Sequence, residues 1–217
     1  MAVTSSFEHP LSKVFREAAE GRFPPVDGVV EVVAPDRAGA HAVVEFTGHS
    51  FVLTEPGPHD ELLKGLDAYG GATQPSVLTQ LAGPSGSVGS LDVVMVRRAG
   101  VPIAEPLELV GDSTHPRVER ALHHRRDVVV LGDHRGIVTV GIGLADRREI
   151  SVELTGVAHG TGVGRELINS ALSTAEIVGV EEFVFAQIAP GNAASVRMFL
   201  ACGFVPIGSE VLIERRA

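Results

Sequence analysis

Hydrophobic positions change period several times along this chain, and each change marks an element. Between residues 10 and 20, Leu11, Val14, Phe15 and Ala18 recur at helical spacing, and Gly21 is placed to end the helix. After Pro24-Pro25 the pattern shortens to strands over 29–34, 42–46 and 51–54, with turns at 35–39 and 47–50. Glu55-Pro56-Gly57-Pro58 stops this sheet, and residues 60–66 and 76–81 read as short helices. Residues 83–89, rich in Gly, Ser and Pro, read as a linker.

The second part opens with a strand over 91–97 and a loosely structured segment to about residue 113. A helix follows over 115–125, with Val118, Ala121 and Leu122 inward. Strands at 128–131 and 137–142 form a hairpin through Gly132-Asp133-His134-Arg135-Gly136. A turn at Asp146-Arg147-Arg148 leads to a strand in which Ile150, Val152 and Leu154 point one way and Ser151, Glu153 and Thr155 the other. Past Gly156, the glycines Gly160, Gly162 and Gly164 crowd one loop. Val163, Leu167, Ile168, Ala171 and Leu172 then share a helical face. Residues 183–188 are a short apolar strand. Asn192 is a good N-cap for a last helix with Val196, Phe199 and Leu200 inward, Gly203 sits at its C′ position, and strands at 204–207 and 210–213 finish the chain. Three strands and a helix thus occur twice, at 29–66 and 128–178. This is either a duplication or a common arrangement met twice, and the first set lacks a glycine loop.

Composition narrows the classes. Of 217 residues 44% are hydrophobic, enough for a substantial core, so global disorder is excluded. A formal charge of −9 argues against nucleic acid or an anionic membrane surface as the main partner, and suits a cationic substrate. The single cysteine, Cys202, rules out an internal disulfide and fits a reducing compartment. No basic N-terminal segment runs into a long apolar stretch, so a cytoplasmic protein without signal peptide or membrane span is expected. No His/Cys/Asp cluster has metal-ligand spacing, so no metal is expected.

The glycine loop carries the chemistry. The first turn of a helix leaves its N–H groups unpaired, the helix dipole favours negative charge there, and glycines let a phosphate approach the backbone. The loop is therefore expected to hold a pyrophosphate. A dinucleotide fold would place such a loop after the first strand of an alternating βαβ unit, and a nucleoside-triphosphate loop would need a Gly-Lys-Ser/Thr; neither fits here.

The order of meander, glycine loop, long helix, strand, second helix and final strands resembles the GNAT superfamily of acyl-CoA-dependent N-acyltransferases, over roughly residues 91–213. Two motifs carry the resemblance. His159-Gly160-Thr161-Gly162-Val163-Gly164 matches the family's Gln/Arg-x-x-Gly-x-Gly/Ala loop at both glycine positions, with His159 where Gln or Arg is usual. Asn192, Ser195 and Gly203-Phe204 match the pattern of the family's last helix. The resemblance implies an α/β (α+β) fold with a GNAT-like mixed, mostly antiparallel sheet flanked by helices, in a domain spanning 91–217. Residues 1–90 lie outside the resemblance and are expected to form an additional N-terminal α/β segment packed against it.

It further implies a site for acetyl-CoA or coenzyme A. Backbone N–H groups of Gly160, Thr161, Gly162, Val163, Gly164 and Arg165 would bind the pyrophosphate, and His159, Thr161 and Arg165 would add side-chain contacts. The pantetheine arm would lie along the preceding strand near Leu154 and Gly156, with Asn192 and Ser195 facing the arm or the acyl end. The expected reaction is transfer of an acetyl group to a primary amine of a small molecule or peptide, by direct attack in a ternary complex. Glu153 and Glu149 are the candidate bases. The family's usual acid is a Tyr seven residues after the Asn; that position is Phe199, which reads as a core aromatic, and Ser195 is a substitute donor. The alternative is a non-catalytic acyl-CoA-binding regulatory or sensor module, in which the N-terminal part could bind a partner.

Overall fold

The computed structural model describes residues 8–36, 39–57, 59–99, 104–110, 114–156, 160–174 and 182–215. In chain order the elements are α1 (Pro10–Ala19), β1 (Val29–Val33), β2 (His41–Phe46), β3 (His49–Leu53), α2 (Asp60–Leu63) and α3 (Pro75–Ala82). They continue with β4 (Ser87–Arg98), β5 (Glu108–Leu109), α4 (Pro116–His124), β6 (Arg126–Asp133) and β7 (Gly136–Ile142). A 3-10 turn (Leu144–Asp146) precedes β8 (Arg148–Leu154), α5 (Val163–Ala171), β9 (Phe183–Ile188), α6 (Ala193–Ala201) and β10 (Val205–Glu214). No helix among the described residues is long and apolar enough to cross a membrane.

The chain divides into two units. Residues 1–90, 144–146 and 211–217 form the first, and 91–143 with 147–210 the second. In the first, α1 starts at Pro10 behind His9, whose Nδ1 accepts from Leu11 N, and it buries Leu11, Phe15 and Ala18. Gly21, at φ 83°, follows its C-cap, as the spacing predicts. β3 pairs parallel to β1 and antiparallel to β2. Val43 and Val52 from this sheet meet Leu78 and Leu81 of α3, and Val211 and Ile213, in one core. Ser12 Oγ donates to Ala145 O at 2.6 Å, which ties the 144–146 turn to α1.

In the second unit the strands run in the order β4-β9-β8-β7-β6-β5, and the sheet is mixed and mostly antiparallel, flanked by helices. Leu131, Val138, Val140, Ile150, Val184 and Ala186 point to one face, where Leu167, Ile168 and Ala171 of α5 and Phe199 of α6 cover them. This is the apolar alternation read from the sequence, satisfied by an amphipathic helix. β6, β7 and β8 form an antiparallel meander with a register shift between Arg126 and Val129, whereas β1 runs parallel to β3. The two three-strand sets noted in the sequence therefore differ in topology.

Three boundaries depart from expectation. Residues 87–89, read as linker, belong to β4. A Cβ on Gly86 would lie 2.5 Å from Glu214 O, and one on Gly89 2.9 Å from Leu212 O, so the small residues serve close approach to β10. The expected pair of final strands is one strand, β10. Arg148, expected at a turn, opens β8, where it and Glu149 pair in register with Ile142 and Gly141 of β7.

Candidate functional site

The site begins where two strands part. β8 is laddered to β7 from Arg148↔Ile142 to Leu154↔Gly136, and β9 to β4 from Phe183↔Arg98 to Ile188↔Val93. Between β8 and β9, which run parallel, the registered pair is Glu149↔Phe185. Beyond it, the inner flank of Ser151, Val152, Glu153 and Leu154 has no registered partner on β9, which leaves a fork with main-chain groups along one wall.

The fork opens toward the glycine loop. Gly156, Gly160 and Gly162 all have positive φ (58°, 84° and 91°), and a Cβ at any of them would meet nothing within 4 Å among the described residues. The backbone thus needs glycine for its left-handed turns, and the space beside each is open. Gly162 is the N-cap of α5, no side chain among the described residues caps this end, and the first bonds within the helix run from Arg165 N and Glu166 N to Gly162 O. An uncapped helix start beside open space is what an anion needs. Gly164 serves packing instead. A Cβ there would lie 2.4 Å from Met198 Sδ, so the glycine lets α5 lie close on α6. Thr161 and Arg165 are exposed, and Val163 packs against the core. His159 lies outside the described residues.

Asn192 and Ser195 are held together by a cap: Asn192 Oδ1 accepts from Ser195 N at 3.1 Å. Phe199 is buried and meets Phe204 edge-on at 5.0 Å, so it is a core aromatic, and Cys202 is buried with its thiol pushed up to about 11 by burial.

The two candidate bases have different surroundings. Glu153 sits on the α4 side of β8 and takes two bonds from Arg117 of α4, Nε at 3.2 Å and Nη2 at 2.8 Å. Both fall on Oε2, and the Glu153 side chain is 42% exposed. Glu149 is buried and shared: Arg125 Nε donates to Oε2 at 2.8 Å and Arg147 Nε to Oε1 at 2.9 Å. Burial pushes its carboxyl up, but the guanidiniums of Arg147 and Arg125 outweigh that and hold it below the usual range. A carboxylate so held is a poor proton acceptor; Glu149 anchors the closed end of the fork.

Sequence reading missed the rest of that anchor. Arg147 Nη2 also donates to Glu210 Oε1 at 2.6 Å, and Arg147 lies 5.7 Å from the Phe185 ring centroid. Burial raises the carboxyl of Glu210, which has one guanidinium where Glu149 has two. Arg125 Nη1 is 3.4 Å from Ser151 Oγ and 3.5 Å from Thr139 Oγ1, and those two hydroxyls are 2.6 Å apart. The available signal was a charged trio, Arg147-Arg148-Glu149, beside an apolar strand.

Residues 139–204 match the model of the Acetyltransferase (GNAT) family. A search of curated proteins finds no match. Among solved structures, the chain is similar to a protein described as a GNAT-family acetyltransferase from Novosphingobium aromaticivorans DSM 12444 (15% identity, TM-score 0.44, covering 62% of this chain and 69% of that one). It is also similar to a GCN5-related N-acetyltransferase from Kribbella flavida (13%, 0.40, 65% and 63%). A third is a functionally unknown conserved protein from Staphylococcus epidermidis ATCC 12228 (14%, 0.43, 96% and 100%). The chain spans less than two thirds of the Kribbella protein's length. The resemblance to the GNAT superfamily read from the two motifs thus stands on the family-model match, which includes the fork, the loop and α6.

Proposed function

We propose that the second unit binds acetyl-CoA and transfers its acetyl group to the amine of a small molecule or peptide. The observation that supports this most is the fork between β8 and β9, closed at Glu149↔Phe185 and opening onto an uncapped, glycine-lined helix start. The residues present fit the group: among the described residues, open space beside Gly156, Gly160 and Gly162 suits a diphosphate, and the flank of β8 that has no registered pair with β9 beyond Glu149↔Phe185 suits an arm that carries amides.

Gly160 to Arg165 would hold the diphosphate, and Leu154 and Gly156 the arm. Asn192 and Ser195 lie at the start of α6, where the Asn192 cap fixes the turn. When bound, the thioester supplies an acyl carbon that an amine can attack. Of the two candidate carboxylates, Glu153 is the better placed to take a proton, because Arg117 engages Oε2 and, among the described residues, leaves Oε1 to accept. A leaving thiol of pKa roughly 8.5 can draw its proton from water, so a phenylalanine at position 199 slows the reaction without forbidding it.

A second reading, a non-catalytic acyl-CoA-binding module, is favoured by the buried Phe199 and by the two arginines on Glu149. Thermal shift with coenzyme A and thiol release from acetyl-CoA across an amine panel separate the two. Both readings require the shift. Thiol release above the blank with some amine supports the enzyme, release with none supports the binding module, and no shift at all removes both.

A further inference from the structure

β9 reads Phe-Val-Phe-Ala-Gln-Ile, and Gln187 is its one polar residue. A carboxamide in so apolar a strand needs an acceptor for its N–H groups and a donor for its oxygen. The oxygen is provided for: Gln187 Oε1 accepts from Arg125 Nη2 at 3.3 Å. Because a guanidinium only donates, this contact fixes which end of the carboxamide faces Arg125. Nε2 is left over, buried and without a hydrogen bond among the described residues.

Its position gives that leftover donor a meaning. Gln187 lies two residues past Phe185, and Ser151 two residues past Glu149, so both stand one step beyond the last registered pair of the fork. Arg125 reaches both, at 3.3 Å and 3.4 Å, and so joins the two strands where their ladder ends. Ile150, Val184 and Ala186 alternate with these polar residues and belong to the apolar core.

We propose that Gln187 Nε2 is the donor for the acyl carbonyl oxygen at the closed end of the fork, with Arg125 as the residue that positions it. This rests on the fork being the acyl-donor site. A carbonyl oxygen only accepts, so it complements a lone N–H group; an ammonium only donates, and the free thiol of coenzyme A accepts weakly. The donor therefore distinguishes the acylated from the free coenzyme, and it polarises the carbonyl that an amine attacks.

Calorimetry with coenzyme A and with acetyl-CoA tests this without knowing the acceptor. The wild-type chain is expected to bind acetyl-CoA about tenfold more tightly than coenzyme A, the gain of one good hydrogen bond. Gln187→Met should bring that ratio to about one and leave coenzyme A affinity within roughly twofold, which also reports an intact fold. Gln187→Glu keeps an oxygen for Arg125 but no N–H, should behave alike, and decides the matter if the Met variant does not fold. Isotope-edited infrared on acetyl-CoA labelled at the carbonyl carbon adds a direct readout: the bound carbonyl stretch should rise in both variants. A wild-type ratio near one, a preference kept in the variants, or an unmoved stretch overturns the assignment. A wild-type chain that binds neither coenzyme instead removes the acyl-donor site itself.

Discussion

Arg147 Nη2 donates to Glu210 at 2.6 Å with both side chains only 2% exposed, while its Nε holds Glu149. Removing one member of a buried ion cluster leaves uncompensated charge, which costs more than the pair contributes. Arg147→Met should therefore lower unfolding free energy by about 3–5 kcal/mol. Arg117→Met breaks the half-exposed pair with Glu153 and should cost no more than about 1 kcal/mol. Urea unfolding of the two variants side by side checks the contrast; similar midpoints would contradict it.

Stability should also fall with acid in a way that reports Glu149. Its carboxyl is held below the ordinary value of 4.5 in the folded chain, so the unfolded chain takes up the proton first. The stabilisation is complete above about 4.5 and is lost as pH falls from there through the folded value. Glu149→Gln should destabilise the protein at neutral pH and flatten the acid slope below about pH 4.5. Denaturant unfolding at neutral and acid pH measures both, and an unchanged slope would place the acid sensitivity elsewhere.

At the helix start, charge and backbone strain can be separated. Gly162 has φ 91°, a region that Asn and Asp tolerate better than other side chains. Gly162→Asp puts a like charge where the diphosphate would sit and should abolish the thermal shift with coenzyme A, whereas Gly162→Asn should keep part of it. In the wild type, ligand at a hundred times its Kd adds about 2.7 kcal/mol. Equal shifts in the two variants would show that the loop carries no anion.

The closeness of α5 and α6 makes a fourth expectation. A methyl group at Gly164 would press on Met198 Sδ, the far end of a flexible side chain. Gly164→Ala should cost about 1 kcal/mol and Gly164→Val nearer ~3 kcal/mol. Met198→Ala should recover part of that cost in the double variant. A double-mutant cycle measured by thermal or urea unfolding shows whether the two positions couple.

Much of this architecture was readable because it is local. Asn192 caps its helix through the N–H of Ser195, a near neighbour in sequence, and Gly203, at φ 82°, ends it; the glycine loop likewise announces a strand giving way to a helix. What was hidden depends on partners far along the chain. Residues 87–89 form a strand because carbonyls of Leu212 and Glu214 approach that stretch, where Gly and Ser gave only a linker signal. Arg147 looked like a turn residue because its partner Glu210 lies 63 positions away, and Arg125 lies 24 positions from Glu149. Gln187 carries no such signal, since a lone carboxamide inside an apolar run has no periodicity.

The Glu149 carboxyl rests directly against Gly143. A Cβ on that glycine would fall 2.2 Å from Glu149 Cδ, so the acid fills the volume that any larger residue at 143 would occupy. The constraint runs one way: a side chain at 143 would push the acid off Arg125 and Arg147, which share it as counterion, whereas losing the acid leaves the glycine unstrained. The hinge of the fork therefore tolerates no growth at a position that itself carries no functional group.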